Sequence, residues 1–438
     1  MNASTYESRM QWFREARFGL FLHWGLYAIP ARGEWVMNTE RLSIDDYHSY
    51  FEEFNPRRFN ARSWARMAKE AGMKYVVLTA KHHDGFCLFD SQLTDYKSTN
   101  TPFGQDIVRE YIDAFREVGL KVGLYYSLLD WHHPDYPHYG DTHHPMRDNP
   151  AYKDKSHDLD NYLSYMHGQV EELCTRYGKI DILWFDFSYD DMTGEKWKAT
   201  KLIEMVRANQ PDIIVDNRLE ASGGEYGSLA SVTPSPYSGD FVSPEQIIPP
   251  GGIRNKAGEP MAWEACITMN NNWGYHRYDH DYKPASLLIR KLVECVSKGG
   301  NLLLNVGPDA HGEFPEGSVV ILTEIGRWIR KNGDSIYGCG ESGLEKPEYG
   351  HITKKGNTYY VHVMEGPIGP IPVKGIPADK IVNARLLASG AELPTTTIWT
   401  THNYPDYTFL YYGPNELFTY PLPDPINSVI AITTKGDL

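Results

Sequence analysis

The chain has 438 residues, 41% hydrophobic and 23% charged, which is ample material for a core and suits two or three domains or one large domain with an accessory. A formal net charge of -14 with no long basic run argues against nucleic acid and anionic membrane surfaces as partners. No window approaches the ~18 consecutive apolar residues of a membrane span.

"MNASTYESRMQWFREARFGL" lacks a basic start followed by an apolar core, so a cytoplasmic protein is expected. Short apolar runs then recur: "FGLFLHWG" (18–25), "YVVLTA" (75–80), "KVGLYYS" (121–127) and "DILWFD" (181–186), followed by "IIVDNR" (213–218), "AWEACIT" (262–268) and "NLLLNVG" (301–307). Runs of this length, rich in β-branched and aromatic residues, predict buried parallel strands. Between them lie amphipathic segments such as 60–72 and 106–119, each closing on Gly as helices commonly do. The alternation predicts an α/β fold, an irregular (β/α)8-like TIM barrel over residues 1–340. No GxGxxG follows an early strand, which weighs against a doubly wound sheet. After about residue 345 short β-rich runs are separated by Gly, Pro and Asn, predicting an all-β sandwich domain over 345–438. The cysteines, Cys87, Cys174, Cys266, Cys295 and Cys339, are odd in number and form no CxxC pair, so no disulfide framework or zinc knuckle is indicated.

A barrel enzyme builds its active site at the C-terminal ends of its strands. Here those ends carry His23, His82 and His83, Tyr125, Asp186, Arg218 and Asn305. Metal hydrolysis is one chemistry to weigh, because histidines cluster in "AKHHDGF", "WHHPDYPH" and "DTHHP". Adjacent His82 and His83 would alternate in direction if extended, and the other groups sit in Pro-rich loops, so no metal and no cofactor is expected. The second chemistry is glycoside hydrolysis by two carboxylates. Asp186, ending an apolar strand, is placed rigidly enough for a nucleophile. Glu34, Glu245 and Glu264 are all candidates for its acid/base partner, Glu245 on a long loop after the fifth strand, and spacing does not choose among them.

The segments "FGLFLHWG", "GEW", "AKHHDGFCLF", "VGLYYSLLDW", "ILWFD", "VSPEQ", "WEACITMNNNWGY" and "SKGGNLLLNVGPDAHGEFP" carry a resemblance. The chain resembles the α-L-fucosidases of glycoside hydrolase family 29 through essentially the whole barrel. The resemblance implies a retaining exo-α-L-fucosidase acting without a metal on fucosylated oligosaccharides or small fucosides. It assigns Asp186 as nucleophile and Glu245 as acid/base. It also assigns His23, Glu34, Trp35, His82, His83, Tyr125, Trp184, Arg218 and Trp273 as the sugar pocket. Such a pocket needs donors and acceptors for hydroxyls on one side and an apolar wall for the C5 methyl on the other. Asn305 is read as a packing residue and Glu264 as a structural carboxylate. An α-L-galactosidase on the same scaffold and a non-catalytic fucose-binding protein are the alternatives; a homo-oligomer is compatible with the sequence. Phe187 departs from the family pattern, because many relatives place Gly or another small residue after the nucleophile.

Overall fold

The computed structural model describes residues 5–397, 399–416, 418–436 and 438. The apolar runs form parallel strands β1 (Phe18–Leu22), β2 (Tyr75–Lys81), β3 (Lys121–Ser127), β4 (Ile182–Asp186), β5 (Ile214–Val215), β6 (Glu264–Thr268) and β7 (Asn301–Val306). They pair in the order β5-β4-β3-β2-β1-β7-β6 as a 7-stranded sheet. The two segments singled out as helices fold as Ala61–Glu70 and Ile107–Glu117. Asn60 and Asp106 cap their first turns by accepting from the amides of Ser63 and Arg109. Gly72 and Gly119, both at positive φ, follow their ends.

Alternation along the strands sorts side chains to two cores. Phe21, Val77, Tyr125, Trp184, Ile214, Cys266 and Leu303 pack together in one cluster that also takes Met10 and Phe13 from the first helix, Tyr6–Ala16. Their neighbours Leu20, Leu22, Leu124, Tyr126, Leu183 and Phe185 pack in a second cluster with the surrounding helices. The first cluster therefore fills the barrel interior, and the first helix closes its lower end.

The gap between β5 and β6 is closed by the stretch 240–246, which the sequence reading placed in a long loop. Asp216 bridges Phe241, Val242 bridges Trp263 and Glu245 bridges Cys266, all parallel. The amide of Cys266 donates to Pro244 O at 3.1 Å, and that of Gln246 to Cys266 O at 3.0 Å. Gly239, at a φ of +84°, lets this stretch approach so closely that a Cβ there would lie 2.1 Å from Asp216 O. Glu245 thus stands at the C-terminal end of an irregular barrel strand, beside the other strand ends, and not on a free loop.

Beyond the barrel, β8 (Gly340–Glu341), β9 (Gly350–Lys355), β10 (Thr358–Val363), β12 (Ile381–Leu386) and β15 (Ser428–Thr434) form a 5-stranded antiparallel sheet. β11 (Ile371–Lys374), β13 (Thr395–Thr396) and β14 (Tyr407–Leu410) form a 3-stranded one. Val361, Ile430 and Ile432 of the first share an apolar core with Ile371, Val373 and Leu410 of the second. Trp328 of the last barrel helix, Glu316–Asn332, donates its indole N–H to Asn427 O at 3.2 Å, tying this segment to the barrel. No helix of the described residues is long and apolar enough to cross a membrane.

Candidate active site

The strand ends enclose a cavity of about 470 Å3 whose wall includes Asp186, Glu245, Arg218, Tyr125 and the three histidines. Arg218, just past β5, organises it. Its Nη1 donates to Asp186 Oδ1 at 2.9 Å, and its Nη2 to Glu245 Oε2 at 3.0 Å. Its Nε is held by Ser243 Oγ at 2.9 Å, and its guanidinium lies 4.7 Å from the Trp184 ring centroid. One buried guanidinium therefore pairs with two carboxylates and cannot leave without stranding both. Tyr125 donates to the other oxygen of Asp186 at 2.7 Å. The Asp186 side chain is 14% exposed and that of Glu245 36%, so Glu245 faces the mouth and Asp186 the floor.

Burial pushes the Asp186 carboxyl up to about 6; Arg218 opposes this, the Glu245 charge adds to it, and the donors Tyr125 and the Phe187 amide oppose it. Above that pH Asp186 is ionised, fixed by three donors and aimed into the cavity.

Two of the histidines, His23 and His83, present acceptor nitrogens to the cavity. Asn305 donates its amide to Trp273 O at 2.7 Å, so its Oδ1 is the atom that meets His23 Nδ1 at 2.7 Å. That places the His23 proton on Nδ1 and leaves Nε2 with a lone pair. Ser127 gives its hydroxyl proton to Leu129 O at 2.6 Å and so accepts from His83 Nδ1 at 2.7 Å, which leaves His83 Nε2 an acceptor too. Burial lowers His23 to about 3 and holds His82 and His83 well below the usual imidazole range. The expectation that His82 and His83 point opposite ways fails. β2 ends at Lys81, the pair lies in the turn beyond it, and both rings line the cavity with centroids 4.0 Å apart. The His82 ring stacks on Tyr125 at 5.6 Å. Among the described residues no cluster of His, Cys, Asp or Glu has the arrangement of a metal site.

Phe21, Trp184 and Trp273 make the apolar side of the cavity, with Phe21 5.2 Å from Trp184 and 5.9 Å from Trp273, centroid to centroid. Trp35 also lines it, edge-on to His83 at 5.2 Å. Glu34 lies behind the wall: it is buried and accepts from the Gly274 amide at 2.8 Å, fixing the backbone that carries Trp273. Burial raises its carboxyl. Glu264 is fully buried inside the barrel and pushed up to about 7 by that burial. It accepts from the Tyr75 hydroxyl and from the Trp184 indole N–H at 3.3 Å, so it orients the Trp184 ring from below. Sequence reasoning missed Ser127, His143 and Tyr189, and it took Asn305 for packing although that amide sets the tautomer of His23.

Phe187 has a φ of +83°, in the left-handed region that favours glycine. Its ring packs against Trp35, His83, His143 and Tyr189 with centroids 5.3, 4.8, 4.9 and 5.8 Å away. This chain accepts backbone strain of about 1 kcal/mol to close one cavity wall with an aromatic ring. Two truncations separate the contributions. Phe187→Gly loses the ring and the strain, whereas Phe187→Ala loses the ring and keeps the strain. The Gly variant is therefore expected to be the more stable by about 1 kcal/mol in denaturant unfolding. Equal stabilities, or a more stable Ala variant, would contradict a strained Phe187.

A parallel barrel with paired carboxylates, neutral imidazole acceptors and an aromatic wall at its strand ends defines a glycoside hydrolase. A family model described as Alpha-L-fucosidase matches residues 2–334, and the chain belongs to that family. It is similar over 99% of its length to the structure of α-L-fucosidase isoenzyme 1 from Paenibacillus thiaminolyticus, with 57% identity, 100% of that chain covered and a TM-score of 0.94. An α-L-fucosidase from Bacteroides thetaiotaomicron aligns over 100% of this chain and 98% of its own, at 29% identity and a TM-score of 0.82. The α-L-fucosidase of Dictyostelium discoideum is 28% identical over 91% of both chains.

Proposed function

We propose that this chain releases terminal α-L-fucosyl residues with retention of configuration, with Asp186 as nucleophile and Glu245 as acid/base. The observation that carries the reading is the single Arg218 guanidinium holding both carboxylates at the strand ends. The Bacteroides relative supports it, because its structure is of a covalent intermediate trapped with 2-fluoro-fucosyl fluoride in a Glu-to-Gln mutant. In the first step Asp186 attacks the anomeric carbon while Glu245 gives its proton to the departing glycosidic oxygen. In the second, Glu245 takes a proton from water, whose oxygen displaces Asp186. Tyr125 and Arg218 keep Asp186 oriented and ionised. The Nε2 atoms of His23 and His83 accept from sugar hydroxyls, and Phe21, Trp184 and Trp273 face the C5 methyl. The catalytic unit is residues 1–340, with 345–438 as its β accessory.

The experiment is proton NMR of hydrolysis of an aryl α-L-fucoside in its first minutes. Retention gives α-fucose as the first product; β-fucose appearing first would overturn the double displacement.

The position of Asp186 also sets the acid limb. Protonation removes the nucleophile, so kcat/KM is expected to fall tenfold per pH unit below about pH 6. A profile flat down to about pH 4, the ordinary carboxylate range, would contradict a buried nucleophile raised by its surroundings.

A further inference from the structure

Beside the sugar pocket the cavity has a second wall, made by residues four positions past the nucleophile and by the loop around Gly223. Gly223 accepts from the Glu245 amide at 3.0 Å, and a Cβ at Gly223 would lie 2.7 Å from Glu245 Cβ and 2.8 Å from its Oε2. The loop is thus pressed against the acid/base. Because an acid/base reaches the departing oxygen, whatever lies beside it faces the leaving group. Glu225 of this loop and Asp190 of the loop after β4 both line the cavity. Thr142 donates to Asp190 Oδ2 at 2.7 Å. Among the described residues neither Asp190 nor Glu225 is in an ion pair. The permanent cation of the wall, Arg218, is already committed to Asp186, Glu245 and Ser243.

We infer that the leaving-group side of this cavity excludes anions: it takes an uncharged aglycone and disfavours one bearing a carboxylate or sulfate, with Asp190 and Glu225 as the specificity-determining residues. The inference rests on the fucosidase reading and on Glu245 as acid/base. Phe187, His143 and Tyr189 give the same side flat ring surface, which suits a neutral sugar or aryl group. Two carboxylates near a mouth open to water act through a screened field, so the penalty is moderate and depends on salt.

The test compares kcat/KM for 3-carbamoylphenyl and 3-carboxyphenyl α-L-fucosides, which match in size and differ in charge. It is run at about pH 8, where ordinary carboxylic acids are ionised and the carboxyphenyl substrate is an anion. The same ratio is measured in the double variant Asp190→Asn/Glu225→Gln. Asn suits the left-handed backbone of Asp190, whose φ is +47°. The double variant cancels intrinsic differences between the two phenols. Preference for the carbamoyl substrate is expected to be about fivefold greater in the wild type than in the variant at low salt. That gap should close as sodium chloride is raised to about 0.5 M. A ratio identical in the two proteins, or a gap insensitive to salt, would overturn the inference while the turnover of the neutral fucoside upheld the fucosidase reading. No turnover of either fucoside would overturn both.

Discussion

Asp186→Ala is expected to lower kcat for an aryl α-L-fucoside on the order of 10^4-fold with the fold intact. The side chain lost is the one that forms the covalent bond, so no neighbour replaces it. Tyr125 and Arg218 would be left around an empty space, and Arg218 keeps Glu245 as its counter-ion. Stability should suffer little, because the variant also removes a carboxyl whose burial is unfavourable. The space left behind admits a small anion. Azide added to this variant should attack the anomeric carbon directly and give β-L-fucosyl azide, with inverted configuration. Near-wild-type turnover by Asp186→Ala would remove the nucleophile assignment altogether.

Glu245→Ala should give the opposite signature. Losing the proton donor costs roughly 10^2- to 10^4-fold for a poorly departing alcohol, and much less for an activated phenol that leaves without protonation. Attack by Asp186 still forms the ester, and azide then resolves it to α-L-fucosyl azide, with retained configuration. The two variants are therefore distinguished by the anomer of the azide product as well as by rate. Glu264→Ala should show neither rescue, since Glu264 is enclosed in the barrel against Tyr75 and Trp184. Rescue there, and none at position 245, would exchange the roles of the two glutamates.

What could be seen in advance follows from the range over which each interaction acts. Strands such as "YVVLTA" and "KVGLYYS" announce themselves because burial on both faces demands continuous apolar residues, a local property. Asp186 was visible for the same reason, as the carboxylate that ends such a run. The strand that carries Glu245 was not. In "DFVSPEQ" only Phe241 and Val242 are apolar, Pro244 has no amide to give, and the stretch is held by backbone bonds to Ala262, Glu264 and Cys266, which lie outside its own local pattern. The turn that brings His82 and His83 into one cavity was hidden by the assumption that β2 continues through them. Asn305 illustrates the same limit. Its side chain meets His23, which is 282 residues away, and no local pattern reports that contact. The strained φ of Phe187 is likewise a backbone fact, although an aromatic ring where the family resemblance implies Gly or another small residue was the visible sign of it.

The measurement that bears most directly on the account is the site of covalent labelling. A 2-fluorofucosyl fluoride slows both chemical steps by withdrawing charge from the sugar, while its fluoride leaves readily, so the ester accumulates. Incubation should raise the intact mass by one 2-fluorofucosyl group, and peptide mapping should place the ester on Asp186. An ester on any other residue would contradict the double displacement proposed for this barrel, and so would hydrolysis that leaves no adduct and yields β-fucose first.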